Sequence, residues 1–327
     1  MSPSRAEALA ELEADAAFVH EVLPPTPQIT WPLLARRVGA ELWVKHENHL
    51  PAGSFKPRGG LVYFRELRAR EPEVRGVIAA TRGNHGQSVP FAARRFGLPT
   101  TIVVPHGNSR DKNAAMRALG ATLVEHGRDF QEAFEHAQKL AVADGLHFVP
   151  SFHPWLVRGV ASYGLELLRA VPDLELLYVP IGLGSGICAV LRARDALGAR
   201  TRVVGVVTER APTYALSFAA GRPVPTETAD TFADGLAVRV PNADAVALIR
   251  AGAERVVTVS EGEVAAAVRA LFSDTHNVAE GAGAAALAGC LKERRELAGR
   301  RVGVVLTGGN IDRALYARIL AEEEEAE

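Results

Sequence analysis

The chain has 327 residues, 48% hydrophobic and 23% charged, and 37 Lys and Arg against 38 Asp and Glu leave a net charge of −1. That length carries one large α/β unit or two domains of ~150 residues, while the balanced charge and 6% aromatic content exclude a nucleic-acid surface, which needs a basic surplus and stacking rings. Cys188 and Cys290 are the only cysteines, lie far apart and belong to no C-x-x-C pair, which argues against a disulfide framework and a thiolate zinc site, and neither a signal peptide nor ~18 uninterrupted apolar residues of a membrane span occur, so a cytoplasmic protein is expected.

Short β-branched runs alternate with alanine-rich segments almost throughout, which is the pattern of βαβ units around a parallel sheet. In chain order the pattern predicts a strand at 42–45, a helix at 61–70, a strand at 77–80, a helix at 88–96, a strand at 101–104 and a helix at 112–119. A strand at 122–124 and helices at 130–143 and 161–170 follow, then a strand at 176–179, a helix at 187–197 and strands at 203–207 and 256–259. Helices at 262–272 and 283–291, a strand at 302–306 and a helix at 313–321 complete the series. Pro150, His153 and Pro154 interrupt it, which suggests a small domain, 51–154, inserted into a larger one formed by 1–50 and 155–327. Residues 221–241, with Pro223, Pro225 and Pro241, read as irregular covering structure, and Glu322–Glu325 as a solvated helix end.

Glycine-rich turns follow several of the strands, where open α/β sheets bind ligands. They are Gly-Ser-Phe-Lys-Pro-Arg-Gly-Gly at 53–60, Thr-Arg-Gly-Asn-His-Gly-Gln at 81–87, Gly-Leu-Gly-Ser-Gly at 182–186 and Thr-Gly-Gly-Asn at 307–310. Gly182, Leu183, Gly184, Ser185 and Gly186 lead from a strand into a helix, so backbone N–H groups and the helix dipole favour a phosphate; a purely structural tight turn is the alternative. Glu209 stands at the distance of a ribose contact, but Ile187 breaks the dinucleotide fingerprint and no Gly-Lys-Ser/Thr makes a P-loop. Only five lysines occur, and Lys56, set between Phe55 and Pro57 at a helix start, is unlike Lys112 and Lys139, which read as residues of solvated faces. Lysine forms a Schiff base and arginine does not. With a phosphate loop, Lys56 points to pyridoxal phosphate (PLP), whose aldehyde needs an amine and whose phosphate needs an amide nest.

Ser54-Phe55-Lys56-x-Arg58-Gly59, Gly83-Asn84-His85-x-Gln87, the 182–186 loop and Thr307-Gly308-Gly309-Asn310, in that order, resemble the motif series of the fold-type II PLP enzymes. Within them the chain most resembles the threonine/serine dehydratase and serine racemase branch, a resemblance extended by Phe232-Ala233-Asp234-Gly235 and Glu280-Gly281-Ala282-Gly283. The resemblance implies two doubly wound open-sheet α/β domains with PLP in the cleft between them, and a homodimer. It implies that Lys56 holds PLP through a Schiff base, that Phe55 packs beside the ring, and that Asn84 bonds the ring hydroxyl. Thr81, Arg82, Gly83, Asn84, His85 and Gln87 would line the substrate pocket, Gly182, Leu183, Gly184, Ser185 and Gly186 would cradle the phosphate, Gly235 would offer backbone near the ring, and Thr307 would meet the pyridine nitrogen.

A neutral hydroxyl at that nitrogen makes the ring a poorer electron sink than a carboxylate would, so expulsion of a β-substituent is favoured over transamination. The resemblance therefore implies a lyase that dehydrates and deaminates a β-hydroxy-α-amino acid: L-threonine, L-serine, or a bulkier analogue such as 3-phenylserine or 3-hydroxyaspartate. The freed Lys56 amine would take the Cα proton and the cofactor phosphate would assist loss of the hydroxyl. Two alternatives are a β-replacement enzyme similar to cysteine synthase, against which Gly83-Asn84-His85 speaks, and a phosphate-ligand binding protein without catalysis. Racemases of the branch carry a serine where Arg82 stands, so racemisation is expected to be weak; Arg82 either contacts an unusual substrate group or points outward. Val207 takes the place where many relatives begin a divalent-cation site, with Glu209 displaced by two, so no metal is expected. His106, His126 and His153 read as surface or hinge histidines, and feedback control by an end product is not expected.

Overall fold

The computed structural model describes residues 4–322; Glu322 is exposed, and Glu323–Glu325 of the acidic run lie outside the described residues. The chain opens with α1 (Arg5–His20), β1 (Gln28–Thr30), α2 (Pro32–Val38), β2 (Glu41–His46) and α3 (Lys56–Arg70). It continues through β3 (Val77–Ala80), α4 (Asn84–Ala93), β4 (Thr100–Val104), α5 (Arg110–Ala118), β5 (Ala121–Glu125), α6 (Phe130–Ala143) and β6 (His147–Phe148). Next come α7 (Pro154–Ala170), β7 (Leu176–Pro180), α8 (Ser185–Leu197), β8 (Arg202–Thr208), α9 (Thr213–Ala220), α10 (Ala243–Gly252) and β9 (Arg255–Val259). The described chain ends with α11 (Glu261–Thr275), α12 (Gly281–Lys292), β10 (Arg301–Leu306) and α13 (Arg313–Ala321). Residues 221–242 hold no regular element beyond the single turn Asp234–Leu236.

Two sheets result. The larger has the order β1-β2-β10-β7-β8-β9 and the smaller β5-β4-β3-β6. Every pairing is parallel except the antiparallel edge strand β1 on β2. Both are covered on both faces, and the two-residue alternation of strand side chains divides the cores. In the smaller sheet Val77 and Ala79 face α3 and α4, while Ile78 and Ala80 face the alanines of α6. In the larger, Leu177 and Val179 face α7 and α8, while Leu176 and Tyr178 face α12. Because parallel strands all point one way, the glycine-rich turns after β3, β7 and β10 emerge at the strands' C-terminal ends.

Three helices start four or more residues earlier than their sequence pattern suggests: α4, at Asn84 rather than Ser88, and α3 and α7. α3 begins at Lys56 rather than Leu61, with Pro57 at its first turn, where a missing N–H costs nothing. Glycine counts against a helix interior, but Gly59 sits where a Cβ would come within 2.6 Å of the Leu156 carbonyl oxygen. α7 begins at Pro154 rather than Ala161, capped by His153 Nδ1, which accepts from the Trp155 N–H at 3.2 Å. Its Gly159 would collide through a Cβ with the Arg58 carbonyl oxygen. The two helices therefore cross backbone to backbone. Four further helices, α1, α2, α9 and α10, and the short strands β1 and β6 fall outside the strand–helix alternation; α1 is opened by a capping box between Ser4 and Glu7. No helix of the described residues is long and apolar enough to cross a membrane, and both cysteines are free and buried.

Candidate active site

Lys56 is the first residue of α3, and its Nζ stands 4.8 Å from the centre of the Phe55 ring. The turn before it is tied to the turn after β10: Phe55 N–H donates to the Thr307 carbonyl at 3.2 Å, Gly309 N–H to that of Gly53 at 2.9 Å, and Ser54 pairs with Gly308 as an isolated bridge. The side chain keeps partial exposure to the cleft. Burial of its ammonium lowers the pKa to about 8, with the Glu280 carboxylate working the other way.

Glu280 is the residue before α12, its backbone N–H donating to the Gly308 carbonyl at 3.1 Å and its side chain free of the helix end. Its Oε1 accepts from Asn84 Nδ2 at 2.6 Å, and Asn310 Nδ2 in turn donates to Asn84 Oδ1 at 2.8 Å. Burial pushes the Glu280 carboxyl up to about 7 against the pull of Lys112. His85 is buried beside Lys56, and burial first, then the lysine's charge, depresses it to about 3, so its ring is neutral at physiological pH.

Across the cleft, the 182–186 turn forms a nest at the N-terminus of α8. A Cβ at Gly182 would strike the Gly235 carbonyl oxygen; Gly184 has φ +103 in the left-handed region, and a Cβ there would come within 2.7 Å of Ala245. Tyr214 and Tyr163 hold the turn from outside, their hydroxyls donating to the carbonyls of Leu183 at 2.8 Å and Gly186 at 3.0 Å. No side chain caps α8, so its first-turn N–H groups, without intrahelical partners, are left for an anion.

His85 thus lies beside Lys56, Asn84 joins the lysine through Glu280, and Thr307 meets the Phe55 backbone, while Gly235 abuts the nest and Thr81 and Gln87 are buried in and beside the turn before α4. Thr81 Oγ1 accepts from Gly83 N–H at 3.0 Å and Thr307 Oγ1 donates to the Ala282 carbonyl at 3.4 Å. Arg82 is exposed, with no hydrogen bond or ion pair among the described residues. His126, just after β5, stacks on His136 of α6, their ring centres 3.7 Å apart.

Lys112 corrects the sequence reading. It does not stand on a solvated face but is buried, its Nζ paired with Asp234 Oδ2 and lying 3.5 Å from where a Cβ on Gly83 would be. Burial opposes its charge, but Glu280 and Asp234 outweigh that and raise its pKa. Asp234, Glu280 and Lys112 are therefore site residues without an assigned role in the sequence reading; only the Ser109 N-cap signal ahead of α5, which places Lys112 in a first turn, hinted at its orientation.

The fit to PLP is tested by what the cleft leaves unsatisfied. A desolvated lysine amine, a glycine nest that any Cβ would fill, and the partnerless buried atoms Ser54 Oγ, His85 Nε2, Gln87 Nε2 and Glu280 Oε2 match an aldehyde, a phosphate and a polar amino-acid substrate. Fold and site together define an open-sheet α/β enzyme that binds a phosphorylated carbonyl cofactor at a lysine. The chain belongs to the pyridoxal-phosphate dependent enzyme family, whose model matches residues 19–308. Its cofactor is pyridoxal 5′-phosphate, and it is of the fold-type II, threonine/serine dehydratase-like kind.

Among similar proteins is the L-threonine ammonia-lyase of Thermotoga maritima, 37% identical over 289 residues, 88% of this chain and 72% of that one. The L-threo-3-hydroxyaspartate ammonia-lyase of Saccharomyces cerevisiae is 31% identical over 308 residues, 94% of each chain. Among solved structures, the processed form of threonine deaminase isoform 2 from Solanum lycopersicum superposes with TM-score 0.89 at 30% identity, covering 96% of this chain and 94% of that one.

Proposed function

We infer that this protein is a PLP-dependent ammonia-lyase that dehydrates and deaminates a β-hydroxy-α-amino acid to a 2-oxo acid and ammonia. The observation that carries the reading is a lysine amine held near pKa 8 in the same cleft as an anion nest at the N-terminus of α8. The relatives that act on threonine and on 3-hydroxyaspartate support the substrate class: L-threonine, L-serine or a bulkier 3-hydroxy analogue.

In this reading Lys56 Nζ holds the cofactor and, once displaced by substrate, takes the Cα proton; an amine with pKa near 8 is poised for that exchange at neutral pH. Bound PLP supplies an electron sink for the charge left at Cα. Gly182, Leu183, Gly184, Ser185 and Gly186 would hold the phosphate, Phe55 would pack beside the ring and Gly235 would offer backbone near it. Asn84, oriented by Glu280 and Asn310, reaches the ring hydroxyl, and Thr307 offers a neutral oxygen to the ring nitrogen. Thr81, Gly83, His85 and Gln87 receive the substrate carboxylate. His85, neutral through burial and its lysine neighbour, brings no second positive charge beside Lys56. Loss of water from Cα and Cβ leaves an enamine, and its hydrolysis returns that water and yields the 2-oxo acid and ammonia.

Residues 51–154 would close on the part formed by 1–50 and 155–327, a division supported by the separate sheet of β3 to β6. A cytoplasmic homodimer completes the reading, supported by two free, buried thiols for a reducing compartment, and light scattering measures the assembly directly. The purified protein should show an absorbance band near the visible edge that borohydride removes and that Lys56→Ala lacks. It should release 2-oxo acid from at least one member of a panel of threo and erythro β-hydroxy amino acids. A PLP-loaded protein that releases none from the whole panel would sink the lyase reading.

A further inference from the structure

Two residues beyond Lys56, Arg58 is fully buried and all its N–H groups are engaged. Nε donates to Glu47 Oε2 at 2.7 Å and the NH2 nitrogen to Glu47 Oε1 at 3.1 Å, a bidentate grip on the turn after β2. The other side of the guanidinium grips α7: its NH1 nitrogen reaches Glu166 Oε1 at 2.6 Å and Ser162 Oγ at 3.0 Å, and its NH2 nitrogen reaches Glu166 Oε2 at 3.1 Å. Lys45 Nζ holds Glu166 Oε2 from behind at 2.5 Å, and Thr26 Oγ1 donates to Glu47 at 2.6 Å. Burial opposes the charge on Arg58, yet the two carboxylates outweigh it.

The α7 residues that take part stand at i, i+3, i+4 and i+7, hence on one helical face. Gly159 abuts the Arg58 carbonyl, Ser162 and Glu166 hold its guanidinium, and Tyr163 holds the Gly186 carbonyl at 3.0 Å while the Phe55 ring packs edge-on at 6.0 Å. The same face of one helix thus bears both the start of α3, where Lys56 sits, and the end of the phosphate nest.

We propose that Arg58 is a positioning residue that fixes the distance between the Lys56 amine and the 182–186 nest by clamping α3 onto α7. The inference rests on the reading that these two places hold the two ends of PLP. A ligand tethered at two points gains from an effective concentration only while the points match its length, and a displacement of ~1 Å can cost ~100-fold. A planar fork between two carboxylates sets such a position and a flexible ammonium does not.

The test uses the cofactor-free full chain and three probes: PLP, pyridoxal without its phosphate, and inorganic phosphate, each titrated by fluorescence. Arg58→Lys is expected to weaken PLP binding by roughly tenfold to 100-fold while pyridoxal and phosphate, measured singly, stay within about threefold of wild type. Unchanged PLP binding, or all three probes weakened by one factor, would overturn the proposal. Glu166→Gln, which loosens the α7 side of the clamp and keeps its volume, should give the same split and decides the matter if Arg58→Lys does not fold. A wild-type protein that binds PLP no better than pyridoxal or phosphate alone fails at the site reading itself and takes this inference with it.

Discussion

Lys56 and Glu280 owe their unusual acidities to the same cause, removal from water, acting on opposite charges. For Lys56 the consequence is kinetic. In the cofactor-free protein its reactivity with an amine reagent should rise with a half-point near pH 8, against ~10.5 for an ordinary lysine; mass-spectrometric labelling that gives a half-point above 10 would show a solvated amine. For Glu280 the consequence is energetic. Its folded-state carboxyl keeps a proton that the unfolded chain gives up from about 4.5, so stability falls as pH rises between those values and about 7. Glu280→Gln removes that penalty, and its melting temperature relative to wild type should therefore improve between pH 5 and pH 8 in the cofactor-free protein. A difference independent of pH would mean that the carboxyl titrates normally. Of these two residues, Lys56 was legible because lysine is scarce here and lies in a glycine-rich turn. Glu280 was visible as part of a motif but not as a titrating group, because its acidity is set by burial in the folded chain and by Lys112, Asp234 and Asn84, all far away in sequence.

The α3–α7 crossing explains why both helices were foreshortened when read as sequence. Propensity scores the glycines at 59, 60 and 159 as breakers, since they weigh local chain entropy alone. A close approach of two backbones leaves no room for a Cβ, and that requirement is a tertiary one. Gly159→Ala should consequently destabilise the protein by about 2 kcal/mol or more, although alanine is the better helix former. Urea unfolding should show a lower midpoint at unchanged slope, and an equal or higher midpoint would mean that the two helices separate easily. The eight strands expected from sequence are all present because buried parallel strands read as apolar β-branched runs; β1 and β6, three and two residues long, are too short to carry a period.

On the scale of the molecule, α5 spans the cleft between the two sheets. Lys112 pairs with Asp234, Ser109 with Asp312, and Asp111 Oδ2 accepts from the Arg313 N–H at 3.3 Å. The Lys112 amine is buried, so its pair with half-exposed Asp234 is the strong contact of the three, and the other two, at more exposed residues, are the weak ones. Lys112→Met is expected to raise amide hydrogen exchange in residues 105–120, to lower kcat/KM on the best substrate by roughly tenfold, and to lower the melting temperature, because Asp234 and buried Glu280 lose their cation. Unaltered exchange would place the closure elsewhere. That Lys112 read as a surface lysine follows from its setting: the first turn of α5 is polar, and Asp234, distant in sequence, covers the Lys112 amine, whereas Met116 further along the helix packs into the core of the smaller sheet.

The position of β10 has a consequence for the order of assembly. The last strand in sequence lies in the middle of the larger sheet, between β2 and β7, and the turn that follows it pairs with the turn carrying Lys56. During synthesis, β2 therefore has no partner on its inner side until β10 has been made, some 255 residues later, and the lysine's seat stays unfinished until residue 310 is outside the ribosome. Such long-range pairing folds slowly. The smaller sheet, by contrast, is continuous in sequence and complete by β6. Capture of the cofactor thus waits for β10, and a nascent chain stalled before that strand would carry its reactive lysine without the wall that shelters it.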